Sequence, residues 1–185
     1  VGNITYDVTF NIPSSKTEAV KGNATITFIY KGGKTDLQLD FQGAPSQFDG
    51  LCVVNGKQIA VAWQDEHILI PRKSLRRGKN IISMSFISGD KSLNRNADYL
   101  YTLFVPEHAR SVFPCFDQPD LKALFRTRLN VPEGWETITS VSTERIPTYL
   151  FSFVAGKFSK QTQERNGRTF TALYRETDAK KVAQL

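Results

Sequence analysis

The chain has 185 residues, of which 40% are hydrophobic and 23% charged, a composition typical of one folded domain. The longest apolar run, near Tyr149 to Ala155, is interrupted by Ser152 and is too short to span a membrane, so we expect a soluble protein, cytoplasmic or exported. The net charge of +6 does not predict a nucleic-acid partner. The basic residues are scattered along the chain except for a cluster formed by Arg72-Lys73 and Arg76-Arg77. This cluster has no interleaved aromatic residues on which bases could stack.

Alternating apolar residues predict a chain made almost entirely of β-strands. In chain order the expected strands cover 4–12, 24–30, 37–41, 51–54, 58–63, 66–70, 80–87, 99–105, 125–131, 151–154 and 169–174. Asn55-Gly56 predicts a hairpin turn, and Lys31-Gly32-Gly33-Lys34 is interpreted as a second hairpin turn rather than as a phosphate-binding loop. So many strands with short turns predict a two-sheet antiparallel sandwich.

A helical pattern begins only at the end of the chain. Asp178 is placed to cap a helix that starts at Ala179. We therefore expect a β domain over residues 1–176 and the start of a linker helix over 177–185.

Few residues of the chain could support catalysis or bind a metal. His67 and His108 are not paired at helical spacing, and Cys52 and Cys115 are too far apart to form a short-range zinc motif. We expect no catalytic residue, no metal ligand and no cofactor in this chain, and free, mostly buried thiols, with a Cys52–Cys115 bridge as the alternative.

The segment from Arg110 to Phe125 is the most specific part of the sequence. Pro114 and Pro119 fix two backbone turns. Asp117 is placed to cap a short helical turn that begins just after it. Arg110 could pair with Asp117 across this corner. We interpret Arg110, Pro114, Asp117 and Pro119 as structural residues.

The same segment resembles the N-terminal domain of zinc aminopeptidases of the aminopeptidase N and leukotriene hydrolase type, which are gluzincin metallopeptidases. The matching residues are Arg110, Phe113, Pro114, Cys115, Asp117, Pro119 and Lys122. Further segments resemble the family in the same order: Tyr6–Phe10, Gly22–Phe28, Val131–Trp135 and Ile146–Phe158. Between Trp135 and Tyr149 the chain is shorter than the family pattern, which suggests a loop missing at Ser140-Val141.

This resemblance implies a saddle-shaped sheet and a role as the non-catalytic domain of a peptidase. The family's zinc-binding His-Glu-x-x-His motif is not in this chain, so the resemblance implies zinc bound elsewhere in the full-length enzyme. It also implies that the domain walls the active site, with the chain's own catalytic domain and peptide substrates as partners. The fragment alone should be inactive. Two alternatives stay open: a non-enzymatic scaffold with the same domain, and an unrelated β-sandwich binding module.

Leu103 and Val105 match the positions at which the family approaches the amino end of the bound peptide. The family has amide or carboxylate side chains there, whereas both residues here are apolar. The resemblance therefore implies substrate-binding positions that anchor the ammonium group weakly.

Overall fold

Strands make up most of the regular structure in this computed structural model, which describes residues 1–43 and 45–184. They are β1 (Gly2–Asn11), β2 (Lys21–Tyr30), β3 (Leu37–Asp40), β4 (Leu51–Val54), β5 (Lys57–Ala60), β6 (Ala62–Gln64), β7 (His67–Ile70), β8 (Gly78–Ile87), β9 (Leu93–Arg95), β10 (Tyr99–Thr102), β11 (Ala123–Asn130), β12 (Glu136–Thr139), β13 (Phe153–Gly156), β14 (Ser159–Arg165) and β15 (Arg168–Tyr174). The helical elements are α1 (Ala179–Val182) and single 3-10 turns at Pro45–Gln47, Arg72–Ser74, Ala109–Ser111 and Thr148–Leu150. The expected all-β fold is confirmed.

Within the described residues four hydrogen-bonded sheets form, where the sequence predicts two. The larger ones are a six-stranded sheet, in the order β11-β1-β2-β8-β4-β5, and a four-stranded sheet, in the order β12-β13-β10-β9. A three-stranded sheet, β3-β7-β6, and the hairpin β14-β15 are added to them. The expectation of purely antiparallel pairing is wrong at one place, since β1 pairs with β11 in parallel. The long connection before β11 makes this pairing possible.

Aromatic side chains join the two larger sheets. Phe10 of β1 packs on Phe153 of β13 with ring centroids 4.7 Å apart. Phe125 of β11 stacks on Phe151, just before β13, at 4.6 Å and an interplanar angle of 3°. Such pairs stabilise a core by about 0.5–1.5 kcal/mol each beyond the area they bury. The core therefore lies between these sheets.

Two of the predicted turns have different outcomes. Asn55-Gly56 joins β4 to β5, and positive φ angles of 52° and 85° give it the geometry of a tight hairpin turn. The Lys31–Lys34 turn is not a hairpin, because β2 and β3 belong to different sheets. The predicted strand 58–63 is also divided at Val61, where the chain passes from the six-stranded to the three-stranded sheet.

The strand expected over residues 99–105 ends at Thr102. Beyond it Phe104 turns into the core, where it is 1% exposed and packs near Phe113 and Phe151. Burial still alternates as far as Val105, as the sequence pattern predicts, but the backbone pairing of β10 with its neighbouring strands ends at Thr102. Strands β9, β12 and β14 are not among the predicted elements.

Helix α1 begins at Ala179 with Asp178 as its cap. The Lys180 backbone N–H donates to Asp178 Oδ1 at 2.9 Å, as the sequence pattern predicts. The division into residues 1–176 and 177–185 stays a prediction, and Leu185 lies outside the described residues. No helix in the described ranges has the length and apolar character needed to cross a membrane.

Candidate functional site

The corner segment, residues 109–122, is fixed to three other parts of the fold. Cys115 forms a two-way backbone bridge with Asp40, at 2.8 and 3.1 Å. The Phe116 N–H donates to the hydroxyl of Tyr6 at 2.8 Å, and the Thr148 hydroxyl donates to the Phe116 carbonyl at 3.0 Å. The corner thereby connects the end of β3, the centre of β1 and the turn before β13.

Asp40 is the main side-chain anchor of the corner. Its carboxylate is 3% exposed, and Oδ2 accepts from the Asp117 N–H and from the Gln118 side-chain amide, both at 2.8 Å. Oδ1 lies 3.2 Å from Nε2 of His67. Asp40 occupies a position in β3 that the alternation of Leu37, Leu39 and Phe41 would place in solvent. It is buried because the corner folds over the end of the strand.

Asp117 contacts Arg110, but through the backbone. The Arg110 N–H donates to Asp117 Oδ2 at 3.1 Å. The Arg110 guanidinium lies 3.7 Å from Glu107 instead, in a partly exposed pair. Asp117 Oδ1 and Arg110 Nε are buried with no hydrogen-bond partner among the described residues. The sequence predicts an ion pair or a hydrogen-bonded contact between Arg110 and Asp117, and the contact that forms is the hydrogen bond from the Arg110 backbone.

The short helical turn expected near Asp117 is reduced to one hydrogen-bonded turn. The Leu121 N–H donates to the Gln118 carbonyl at 3.0 Å, and Pro119 occupies the second position of that turn, which proline favours. Asp117 does not cap a helix, because its carboxylate is turned towards Arg110. Pro114 is buried in the extended segment just before the bridge at Cys115.

Burial sets the protonation of the groups in the corner. It raises the pKa of Asp117 from 3.8 to about 6. The neighbouring carboxylates of Asp40 and Glu107 add to this rise, whereas the hydrogen bond from the Arg110 amide and the Arg110 charge oppose it. Burial also raises the pKa of Cys115 and of Tyr6 well above their usual values. A buried neutral thiol and phenol are poor nucleophiles, so this corner has a structural rather than a catalytic chemistry.

The donor set does not fit a zinc ion. Within residues 1–43 and 45–184 no three His, Cys, Asp or Glu side chains are grouped to hold a metal. His67 lies 3.2 Å from the Asp40 carboxylate, and Cys52 and Cys115 are both buried as free thiols.

Leu103 and Val105 lie on the surface loop that follows β10, not on a strand. Their side chains are 59% and 53% exposed. Both are exposed like Tyr101, two positions before Leu103, so they continue its alternation between exposed and buried side chains. Tyr101 of β10 pairs with Val154 of β13, and Val154 pairs with Ile138 of β12. The outer face of the four-stranded sheet and this loop together form the outer apolar surface, defined here by Tyr101, Leu103, Val105, Ile138 and Val154.

The chain is similar to proteins of one peptidase family. The family described as Peptidase M1 N-terminal domain matches residues 87–150, which include β10, the corner and the outer loop. Aminopeptidase N of Streptomyces lividans is 30% identical over 143 residues, covering 63% of this chain and 16% of that protein. A probable aminopeptidase 1 of Sulfurisphaera tokodaii is 31% identical over 134 residues, covering 60% of this chain and 17% of its own length.

Residues 87–150 of this chain thus match the N-terminal domain of the M1 peptidase family. The crystal structure of an M1 zinc metallopeptidase from Deinococcus radiodurans has the same fold, with a TM-score of 0.65 at 18% identity. That similarity covers 92% of this chain and 46% of the other. The chain thus spans less than a fifth of the two curated relatives and about half of the solved structure.

Proposed function

We propose that this chain is the non-catalytic N-terminal domain of a zinc-dependent M1 aminopeptidase that removes amino-terminal residues from peptides. The likeness to M1 aminopeptidases across the corner and outer loop is the observation that carries this proposal. Because no group of residues described here fits zinc, the metal would be bound by a catalytic domain outside this chain. An unrelated β-sandwich module is not supported.

The outer apolar surface is the face that would lie beside the catalytic domain. Leu103 and Val105 are more than half exposed, and Ile138 and Tyr101 are 46% and 43% exposed. Large exposed apolar patches mark contact surfaces in soluble proteins, so these exposed side chains favour this face. In this arrangement the domain walls one side of the active site.

Leu103 and Val105 would border the amino end of the bound peptide. Neither side chain carries a charge or a hydrogen-bonding group, so neither can anchor an ammonium group. Amine anchoring would then depend on the catalytic domain, and the first subsite would be more apolar.

The substitution Val105→Glu in the full-length protein tests this placement. A carboxylate there offers a charge-assisted contact to the substrate's ammonium group, so KM for aminoacyl anilides should fall or the preferred first residue should change. Phe170→Glu is the matched control, since Phe170 is 54% exposed on the separate hairpin β14–β15. Unchanged kinetics for Val105→Glu on every substrate would show that Val105 does not face the peptide.

A second measurement separates the enzyme from a scaffold that has the same domain. The translated sequence downstream of Leu185 should contain His-Glu-x-x-His, and the full-length protein should retain zinc after dialysis while the 185-residue chain retains none. A downstream domain without that motif, or one zinc held tightly by the 185-residue chain, would overturn the proposal.

A further inference from the structure

Two loops at one end of the six-stranded sheet bring basic side chains into a single concave surface. The loop between β2 and β3 contributes Lys34, and the loop between β7 and β8 contributes Arg72, Lys73 and Arg77. Together they line a cleft of about 900 Å³, which we call the basic cleft. Asp36 is the single acidic residue among its lining residues in the described part of the chain. Four cations against one carboxylate leave an excess of three positive charges.

These four cations are not neutralised within the described residues. None of their side chains lies within ion-pair distance of a carboxylate there. Asp36 is engaged elsewhere, since its Oδ1 accepts from the Arg72 backbone N–H at 2.8 Å and so ties the two loops together. A concave surface lined by charges of one sign focuses their field and attracts counter-ions. The unneutralised charge therefore favours an anionic ligand.

The loop that carries most of these charges is held in place by buried amides. Asn80 is fully buried, and its Nδ2 donates to the carbonyls of Arg76 and Gly78 at 2.6 and 3.0 Å, while its Oδ1 accepts from the Arg76 N–H at 3.0 Å. Asn55 donates to the carbonyl of Ser74 at 3.3 Å and to Asn80 Oδ1 at 2.9 Å. A loop fixed in this way loses little conformational entropy when a ligand binds. The backbone of the basic cleft is thus preorganised.

We propose that the basic cleft binds a compact oligophosphate, independently of the peptidase role proposed above. Guanidinium groups pair with phosphate through two parallel hydrogen bonds, and the two arginines stand beside two lysines that supply further charge. The cleft has the size of a small-molecule site. Nucleic acid fits less well, because Tyr30, the aromatic residue of the described lining, is buried and offers no face on which a base could stack.

Calorimetric titration of the 185-residue chain with inorganic triphosphate tests the proposal. We expect saturable binding of one triphosphate per chain at an ionic strength of about 0.15 M. The double variant Arg72→Ser with Arg77→Ser should weaken this binding by at least about tenfold, because each arginine supplies charge-assisted hydrogen bonds.

The matched control is Arg165→Ser with Arg168→Ser, which removes the same charge from the tip of the exposed hairpin β14–β15. It should bind triphosphate as the wild type does, and thermal unfolding of both variants verifies that they are folded. Equal weakening in the two double variants would show a non-specific charge effect and overturn the proposal. So would the absence of saturable binding, equally tight binding of citrate, or tighter binding of a single-stranded oligonucleotide than of triphosphate.

Discussion

Asp117→Asn should raise the free energy of unfolding of this domain at neutral pH, and the size of the gain should depend on pH. The wild-type side chain is 4% exposed, and burial raises its pKa from 3.8 to about 6. Between pH about 4 and 6 the folded state keeps a proton that the unfolded chain has lost, so stability falls as pH rises through this window and is level above it. An asparagine has no charge to desolvate, and its oxygen can still accept from the Arg110 N–H.

The size of the effect follows from the shift. About two pKa units correspond to roughly 3 kcal/mol at 1.36 kcal/mol per unit. The neighbouring Arg110 and Glu107 side chains are partly exposed, so water near them reduces the desolvation of the carboxylate and lowers the expected value to about 1–2 kcal/mol. We therefore expect the free energy of unfolding of Asp117→Asn to exceed that of the wild type by about 1–2 kcal/mol at pH 7 and to equal it near pH 4.

Urea unfolding at a series of pH values from 4 to 8 measures this difference. The lowered pKa values of Asp98 and Glu176 give the opposite pH trend, but they occur in both proteins and cancel in the comparison. Asp90→Asn, at an exposed carboxylate, is the control and should stay within about 0.5 kcal/mol of the wild type throughout. If Asp117→Asn is less stable than the wild type at pH 7, or if the difference does not change with pH, the buried charge is not the cause.

The other stability predictions concern the same corner. Asp40→Ala should lower the free energy of unfolding, measured in urea, by about 3–5 kcal/mol, because it leaves a buried backbone N–H and a side-chain amide without an acceptor. The control Asp90→Ala should lower it by about 0.5 kcal/mol or less. A cost for Asp40→Ala as small as that of the control would remove Asp40 as the anchor. Arg110→Ala should lower the free energy of unfolding by only about 0.5–1 kcal/mol, since the contact to Asp117 is made by the backbone N–H, which the substitution keeps. A loss near about 4 kcal/mol would instead indicate that the guanidinium group is paired with Asp117. Tyr6→Phe should cost about 1–3 kcal/mol, because the hydroxyl is the acceptor for the buried Phe116 N–H, and a neutral result would mean that this N–H finds another acceptor.

Local sequence patterns predict much of this fold because they report on one strand or one turn at a time. In β1 every second residue from Ile4 to Phe10 is buried, as the alternation predicts. Asn55-Gly56 predicts its hairpin because a tight turn needs two positive φ angles, which these residues adopt readily.

Pairing between distant segments could not be predicted in this way. The parallel pair of β1 and β11 and the passage from β2 into a different sheet depend on which strands meet in space, and alternation carries no information about that. The burial of Asp40 has the same origin, since its polar position in β3 is covered by a segment more than seventy residues away. The sequence shows the basic residues from Arg72 to Arg77 but not the basic cleft, because the second loop, with Lys34, meets them only in the fold.

The structure separates the residues that maintain the domain from those available for contact with a partner. Asp40, Asp117 and Tyr6 are buried and hydrogen-bonded to the corner, so substitutions there change stability before they can change recognition. Leu103 and Val105 lie on either side of the buried Phe104, and the anchoring of that ring directs both of them outward. A substitution at these two positions alters the outer apolar surface without opening a cavity in the core.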